Sequence, residues 1–396
     1  MNEKKGSDSA KKKMDPRNQR VELIQRIEKL RGSRVISFLT SVRPGAGGNM
    51  ADDAVRVFFD HLLKLGKRPV RKLDIFLCSN GGSSTVPWRL VSLFREFTSS
   101  FNVIVPYRAY SAATMLALGA DEIVMHPFGE LGPIDPTVSN EFNPVEEGTN
   151  RRLGISVEDV KAYVTFVKST VGITHEDELV KALEVLAQKV HPLALGNVER
   201  FISQSRMMGR KIMRTHMTDT QEHIISDIIE NLASKLYFHG HPINRAEAKT
   251  ELKLKIKDDL GPELEKAIWD LYLLYEREFK SNEIFNPASE IARRKKAAIA
   301  IGAQQPPPTA QPPTPLPSDQ PQQPAAPTPE QIQGLVSMMQ QSVHISFEAE
   351  LLHAMIESVG LTSRHATHRR WAEVAIPGQP LPHIKEDVLF QGWTHS

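Results

Sequence analysis

Leu73–Thr85 reads LDIFLCSNGGSST, Val103–Met125 reads VIVPYRAYSAATMLALGADEIVM, and His126–Pro136 reads HPFGELGPIDP. LDIFLC is a nearly all-apolar run of strand length that empties into the turn Gly81-Gly82. Glycine there lets the backbone approach a ligand and leaves amide N–H groups pointing outward. Val103 to Pro106 reads as the next strand, Ser111 opens a short helix of small residues ending at Gly119, and Glu122 to Met125 reads as a further strand. A serine at a helix start sits in a positive field with free N–H groups beside it. HPFGELGPIDP follows that strand as a turn-rich rim.

Working outward, VELIQRIEKLRG (Val21–Gly32) has helical apolar spacing and a glycine stop, and SRVISFLT (Ser33–Thr40) reads as a strand. Asp52–Leu65 and Pro87–Phe97 read as helices. Continuous apolar strands alternating with helices predict a parallel sheet buried on both faces, with the chemistry on the loops after the strands. Residues 21–155 are therefore read as an α/β core. Residues 156–300 carry long amphipathic patterns, including Val157–Val171, Leu195–His216 and Pro262–Phe279, and read as a helical extension.

Both ends differ in composition. Residues 1–20 are Lys-rich and read as a disordered basic arm. Of the 27 prolines, 11 fall between Pro306 and Pro329, which makes 303–330 a Pro/Gln-rich linker. In 331–396, Ile332, Leu335, Met338, Met339 and then Phe347, Leu351, Leu352, Met355, Ile356 predict a helical segment, followed by an irregular tail. On this reading, a chain cut near Ala303 stays folded.

The 396 residues are 40% apolar and 24% charged with net charge +2, enough for a real core and no global case for nucleic acid or membrane binding. The single Cys78 excludes a disulfide framework and a cysteine zinc site, and its apolar strand predicts burial. No run approaches a membrane span and no apolar stretch follows the basic N-terminus, so a cytoplasmic protein is expected. There is no P-loop and no GxGxxG, so no nucleotide, metal or other cofactor is expected. His239 and His241 form an H-x-H pair without an evident third ligand, and the basic runs Arg293–Lys296 and Lys249–Lys257 read as solvated helix faces.

SNGG at Ser79–Gly82, SAAT at Ser111–Thr114, ADEIVM at Ala120–Met125 and LGPIDP at Leu131–Pro136, in that order, resemble the Clp protease/crotonase superfamily. They are most similar to the serine dehydrogenase proteinase family, relatives of signal peptide peptidase A, and IEKLRGSRVISFLTSVRPG and YFHGHPINRAEA extend the likeness over about residues 20–285. The resemblance implies an α/β fold with a Clp/crotonase-like core of βαβ units, and an intracellular serine peptidase acting on peptides or proteins as a homo-oligomer. It places Ser111 as nucleophile, with backbone N–H groups of Ala112 and of Gly81 or Gly82 forming the oxyanion hole. Read from the residues alone, Ser111 could equally cap its helix.

The general base is open. Clp-type enzymes use His and Asp, but this chain has Asp135 near the expected histidine; signal peptide peptidases use Lys, for which Lys161 and Lys168 are the local candidates. His126 reads as structural, and a distant residue or no standard base are the remaining options. Two rival functions are a catalytically altered scaffold or binding protein, and a crotonase-like acyl-CoA enzyme with an acid such as Glu130.

Overall fold

Every residue of Leu73–Cys78 is buried, so both faces of this strand are covered. The computed structural model describes residues 15–134, 137–138, 141–146, 152–235, 240–304, 328, 345–374 and 382–396. Its first elements are α1 (Pro16–Arg31), β1 (Arg34–Thr40), α2 (Asp53–Lys64), β2 (Leu73–Cys78), α3 (Val86–Phe97), β3 (Phe101–Val105), β4 (Arg108–Ala109), α4 (Ala112–Leu118), β5 (Glu122–Met125) and β6 (Glu130–Leu131). Then come β7 (Thr137–Val138), β8 (Ile155–Ser156), α5 (Val157–Thr165), which runs into a π-turn at Phe166–Thr170, α6 (Glu176–Ala187), α7 (Pro192–Met213) and α8 (Glu222–Glu230). The chain continues with β9 (Ile243–Asn244), α9 (Arg245–Thr250), β10 (Ile256–Lys257), α10 (Pro262–Phe279), α11 (Pro287–Gln304), β11 (Ser346–Ser358), β12 (Leu361–Val374) and β13 (His383–His395).

The chain forms two units: Met1–Asn282 with Leu352–His365 and Trp393–Ser396, and Glu283–Leu351 with Ala366–Gly392. In the first unit, β10, β5, β3, β2 and β1 lie side by side in parallel, and Ala354–Glu357 of β11 pairs antiparallel with Ser37–Thr40 of β1. The architecture is mixed α/β with a large mixed sheet.

Strand alternation sorts the core into two layers. Ile36, Phe38, Ile75, Leu77, Val103 and Val105 face one way, against α2, α3 and α4. Val35, Leu39, Phe76, Cys78, Ile104 and Val124 face the other way, against α1 and α10, which pack on each other through Ile24, Ile27, Leu264, Ile268 and Leu271. Edge-on and tilted ring contacts of 5.1–5.2 Å run from Phe38 through Phe58 and Phe94 to Phe101. Cys78 is buried, and burial pushes its thiol up to about 11, which keeps it a neutral thiol at neutral pH.

Two buried charges tie the layers together. Asp74 accepts from Arg31 Nε (2.9 Å), Ser33 Oγ (2.7 Å) and Asn102 Nδ2 (3.0 Å). Glu357 accepts from Arg20 Nε (2.7 Å), Tyr275 Oη (2.8 Å) and Thr362 Oγ1 (2.7 Å). Each carboxylate is thus surrounded by donors, the condition under which a charge can be buried.

Three sequence-based boundaries are corrected. The first helix starts at Pro16, so the arm cannot reach residue 20; Asp15 followed by Pro is a helix-start pattern, and Arg20 is buried on Glu357. The segment from Ser346 is three long strands rather than a helix and an irregular tail. Its Ala, Leu, Met and Glu residues favour helix locally, but pairing with β1 overrides that preference. The third correction follows: Leu352–His365 and Trp393–Ser396 belong to the first unit, so this part of the C-terminal segment is built into the α/β unit. Ile332, Leu335, Met338 and Met339 and nearly all of 303–330 lie outside the described residues; α11 itself runs to Gln304.

In the second unit, Trp371 stacks on Phe347 at 5.1 Å and meets Phe285 at 5.1 Å, while its indole N–H donates to Glu386. Lys295 of α11 pairs with Glu373 at 3.2 Å.

Candidate active site

The exit of β2 is fixed by hydrogen bonds to β4. Ser79 N–H donates to the Arg108 carbonyl (2.9 Å), and Tyr110 N–H donates to the Ser79 carbonyl (3.0 Å). Ser79 Oγ lies 2.7 Å from Thr40 Oγ1 and accepts the Gly81 N–H at 3.0 Å. Gly81 has φ +99°, and a Cβ there would lie 2.7 Å from the Tyr110 carbonyl oxygen and 2.9 Å from Ser111 Cβ. Gly82 is crossed by Met50: a Cβ at 82 would lie 2.2 Å from the Met50 carbonyl oxygen. Met50 N–H donates to the Gly81 carbonyl and Ser83 N–H to the Met50 carbonyl, both at 2.8 Å. Both glycines are therefore required by close backbone approach.

Ser111 stands between β4 and α4 at φ 52°, ψ −117°. This is neither the extended conformation of an ordinary N-cap nor the left-handed helical well, and holding an L-residue there costs on the order of 1–3 kcal/mol. Its hydroxyl makes no capping hydrogen bond. Behind it α4 is buried at every position, its alanines allowing close packing against α3 and α7. Ala113 N–H returns to the Tyr110 carbonyl (2.9 Å), and Met115 N–H to that of Ser111 (3.0 Å). Among the described residues, the N–H groups of Ala112 and Gly82 have no acceptor, whereas Gly81 N–H is held by Ser79 Oγ.

Supporting contacts brace the serine turn. Thr114 Oγ1 lies 2.7 Å from the Ala109 carbonyl and accepts the Gly132 N–H at 3.1 Å, fastening the LGP loop to α4. Tyr110 Oη donates to Glu130, and burial followed by that acceptor's charge raises the phenol above its usual range. Glu130 is thereby engaged by the residue next to Ser111.

Ser111, Ala112 and Gly82 open on a cleft of about 470 Å³. One side carries Asn80, Ser83, Ser84 and Thr85; the other carries Met115, Ile134 and, from α7, Phe201, Gln204 and Ser205. Ser205 Oγ donates to the Ile134 carbonyl at 2.7 Å. The contribution of α7 is absent from the sequence-based site. Its one signal is Ser205 lying a turn after Phe201 in an otherwise amphipathic helix.

Among the described residues, no side chain is hydrogen-bonded to Ser111 Oγ. Asp135 lies outside the described residues. Lys161 is in α5, with its side chain also outside them; the adjacent Val160 packs with Phe201, Ala194 and Ile202 at the contact of α5 with α7. Lys168, on the π-turn, is exposed. His126 stacks on Trp269 at 5.1 Å and accepts the Phe128 N–H, and burial lowers its pKa. His241 pairs with Glu247 at 2.8 Å, while His239 lies outside the described residues.

Among the described residues, no helix is long and apolar enough to cross a membrane. No protein-family model matches the chain. Uncharacterized protein MJ1495 of Methanocaldococcus jannaschii is 26% identical over 126 residues, 30% of this chain and 42% of that protein. Uncharacterized protein MJ0137 of the same organism is 32% identical over 66 residues, 17% of this chain and 23% of that protein. The matched part thus spans less than half the length of either relative. Among solved structures, a serine-to-alanine mutant of 1510-N membrane-bound stomatin-specific protease is similar at TM-score 0.30 and 14% identity, covering 53% of this chain and 75% of that one. A lysine-to-alanine mutant of the same protease, in complex with a substrate peptide, is similar at TM-score 0.33 and 12% identity, covering 53% and 71%.

Proposed function

We propose that the chain is a serine peptidase of the serine dehydrogenase proteinase type, a cytoplasmic homo-oligomer acting on peptide or protein substrates. The backbone of Ser111 carries this reading: a serine held at φ 52°, ψ −117°, uncapped, pressed on a glycine turn and open to a cleft. Strain of this kind persists where the surroundings over-determine it, and it collects at active sites.

In the proposed reaction, neutral Lys161 takes the proton from Ser111 Oγ as the oxygen attacks the scissile carbonyl. The oxyanion accepts from the N–H groups of Ala112 and Gly82. Gly81 N–H is already engaged by Ser79, so the role of Gly81 is to let the turn lie against Ser111. The amine leaves with the proton, and water releases the acyl group from Ser111. The glycine turn and helix start need little reorganisation as charge develops.

The test is covalent labelling with a fluorophosphonate followed by peptide mass spectrometry. Modification of Ser111, and loss of both labelling and peptide hydrolysis in Ser111→Ala, are expected. An unlabelled Ser111 in folded protein favours the scaffold reading. Activity on an acyl-CoA that survives Ser111→Ala favours the crotonase-like one.

A further inference from the structure

A second cavity, of about 350 Å³, lies at the other end of α4 from Ser111. Its lining includes Ala117 and Leu118, the last residues of that helix, whereas Ser111 precedes the first. The floor is apolar, made by Leu118, Ile123, Ile228 and Leu254. The ionisable residues of the lining are His216, Asp121, Lys253 and Lys255, with Gln221 as a further polar one.

These four do not neutralise one another. Asp121 is occupied by Arg95 at 2.8 Å. Lys253 Nζ reaches only the Thr250 carbonyl, and Lys255 forms no ion pair among the described residues. Both ammonium groups are exposed beside an apolar cavity. The alternation Lys253, Leu254, Lys255 puts Leu254 into the floor and the two lysines outside it. His216 Nδ1 is buried without a hydrogen-bond partner among the described residues. That atom is closed off from the cavity, so the half-buried imidazole meets a ligand there through its other edge. The volume falls at the lower end of the roughly 300–1,000 Å³ of small-molecule sites, which are apolar with a few convergent polar groups.

We propose that this cavity binds a medium-chain aliphatic carboxylate, the chain on the Leu118–Leu254 floor and the carboxylate between the His216 imidazole and the Lys253 and Lys255 ammonium groups. A carboxylate satisfies both halves of the rim. It accepts from Nε2–H in that tautomer of the imidazole and is paired by the lysines. An alkyl ammonium would meet two like charges, and a fully apolar molecule would leave His216 unmatched. The proposal concerns binding at a place apart from Ser111 and stands whether or not Ser111 is a nucleophile.

The experiment is calorimetric titration of the full-length chain with octanoate, and with methyl octanoate as the uncharged control. Saturable one-to-one binding of octanoate is expected, at least about tenfold tighter than the ester. The double variant Lys253→Glu, Lys255→Glu changes only exposed side chains, so it should fold as the parent does and bind octanoate at least about tenfold more weakly. In proton NMR, the imidazole signals absent from His216→Gln should be the ones that shift on octanoate addition. Absence of saturable binding, equal affinity for acid and ester, or an unchanged double variant would overturn the proposal.

Discussion

Gly81 and Ser111 lie so close that a Cβ built on Gly81 would stand 2.9 Å from Ser111 Cβ. The nearest other atoms are backbone, the Tyr110 carbonyl oxygen at 2.7 Å and the Ala112 nitrogen at 3.0 Å, and backbone cannot swing aside. Gly81→Ala must therefore displace the serine turn and the Ala112 N–H together. Loss of one oxyanion donor costs about 100–1000-fold in rate. We expect at least about a 100-fold fall in the rate of fluorophosphonate labelling, measured in protein whose circular dichroism matches the parent.

Lys161→Ala removes the proposed base, and general bases contribute about 100–10,000-fold. Peptide hydrolysis should fall by that order in protein whose circular dichroism matches the parent. Hydrolysis at the parental rate in this variant would assign the base to another residue.

Glu357 accepts from three donors in the interior, so Glu357→Gln leaves the buried Arg20 guanidinium with Glu278, at 3.0 Å, as its remaining carboxylate. Breaking one partner of a buried ion pair costs about 3–5 kcal/mol. Urea unfolding should show a loss of this order. Replacing Arg20 and Glu357 together with apolar residues should recover part of it.

A chain ending at Ala303 lacks the strand that pairs with β1 and the residues Ala354, Met355 and Ile356 that enter both core layers. β1, with the sequence RVISFLT, becomes an open edge with strand-forming residues. This reverses the expectation drawn from composition. The truncated chain should aggregate and show no cooperative melt by circular dichroism, whereas the full chain should melt cooperatively.

Two histidines, His61 buried and His216 half-buried, set an acid limit. His61 lies between Ser358 Oγ (2.9 Å) and Ser363 Oγ (3.0 Å), and burial, then the charge of His395, lowers its pKa to about 3. Burial, then Arg95, lowers that of His216 to about 4. Unfolded, both take up protons near 6.5. The unfolded state therefore binds more protons below that pH, and stability present above pH 6.5 is lost as pH falls toward 4. Each group contributes at most about 1.4 kcal/mol per pH unit. Urea midpoints should drop across this window, and NMR at pH 5 should find both rings neutral while exposed histidines are charged.

The first half of the core was legible because LDIFLC and FNVIV are continuous apolar runs, which few structures other than a strand covered on both faces can accommodate. The glycine turn and the serine were legible as residue types. Their meeting was expected from the family resemblance alone, since the backbone bonds between β2 and β4 that join Gly81 and Ser111 leave no periodic trace. β11 was misread because Leu351, Leu352, Met355 and Ile356 satisfy a helical spacing, while the decisive residue is Glu357, a charge that pattern reading assigns to solvent. Asp74 carried the same kind of message, a single carboxylate inside an apolar strand that points to a buried cation, here Arg31.

The pairing of Arg20 with Glu357 joins residues 337 positions apart. During synthesis at about 5–20 residues per second, α1 emerges and then waits roughly 17–70 s for its acceptor. Until then β1 has one neighbour instead of two, and Arg20 lacks its fully buried carboxylate. The order of synthesis thus opposes the order of assembly: the sheet nucleus is made first and is closed by residues that follow Arg20 by 337 positions. For a chain of this contact pattern, slow folding and a need for protection of the β1 edge while nascent are the expected biological costs.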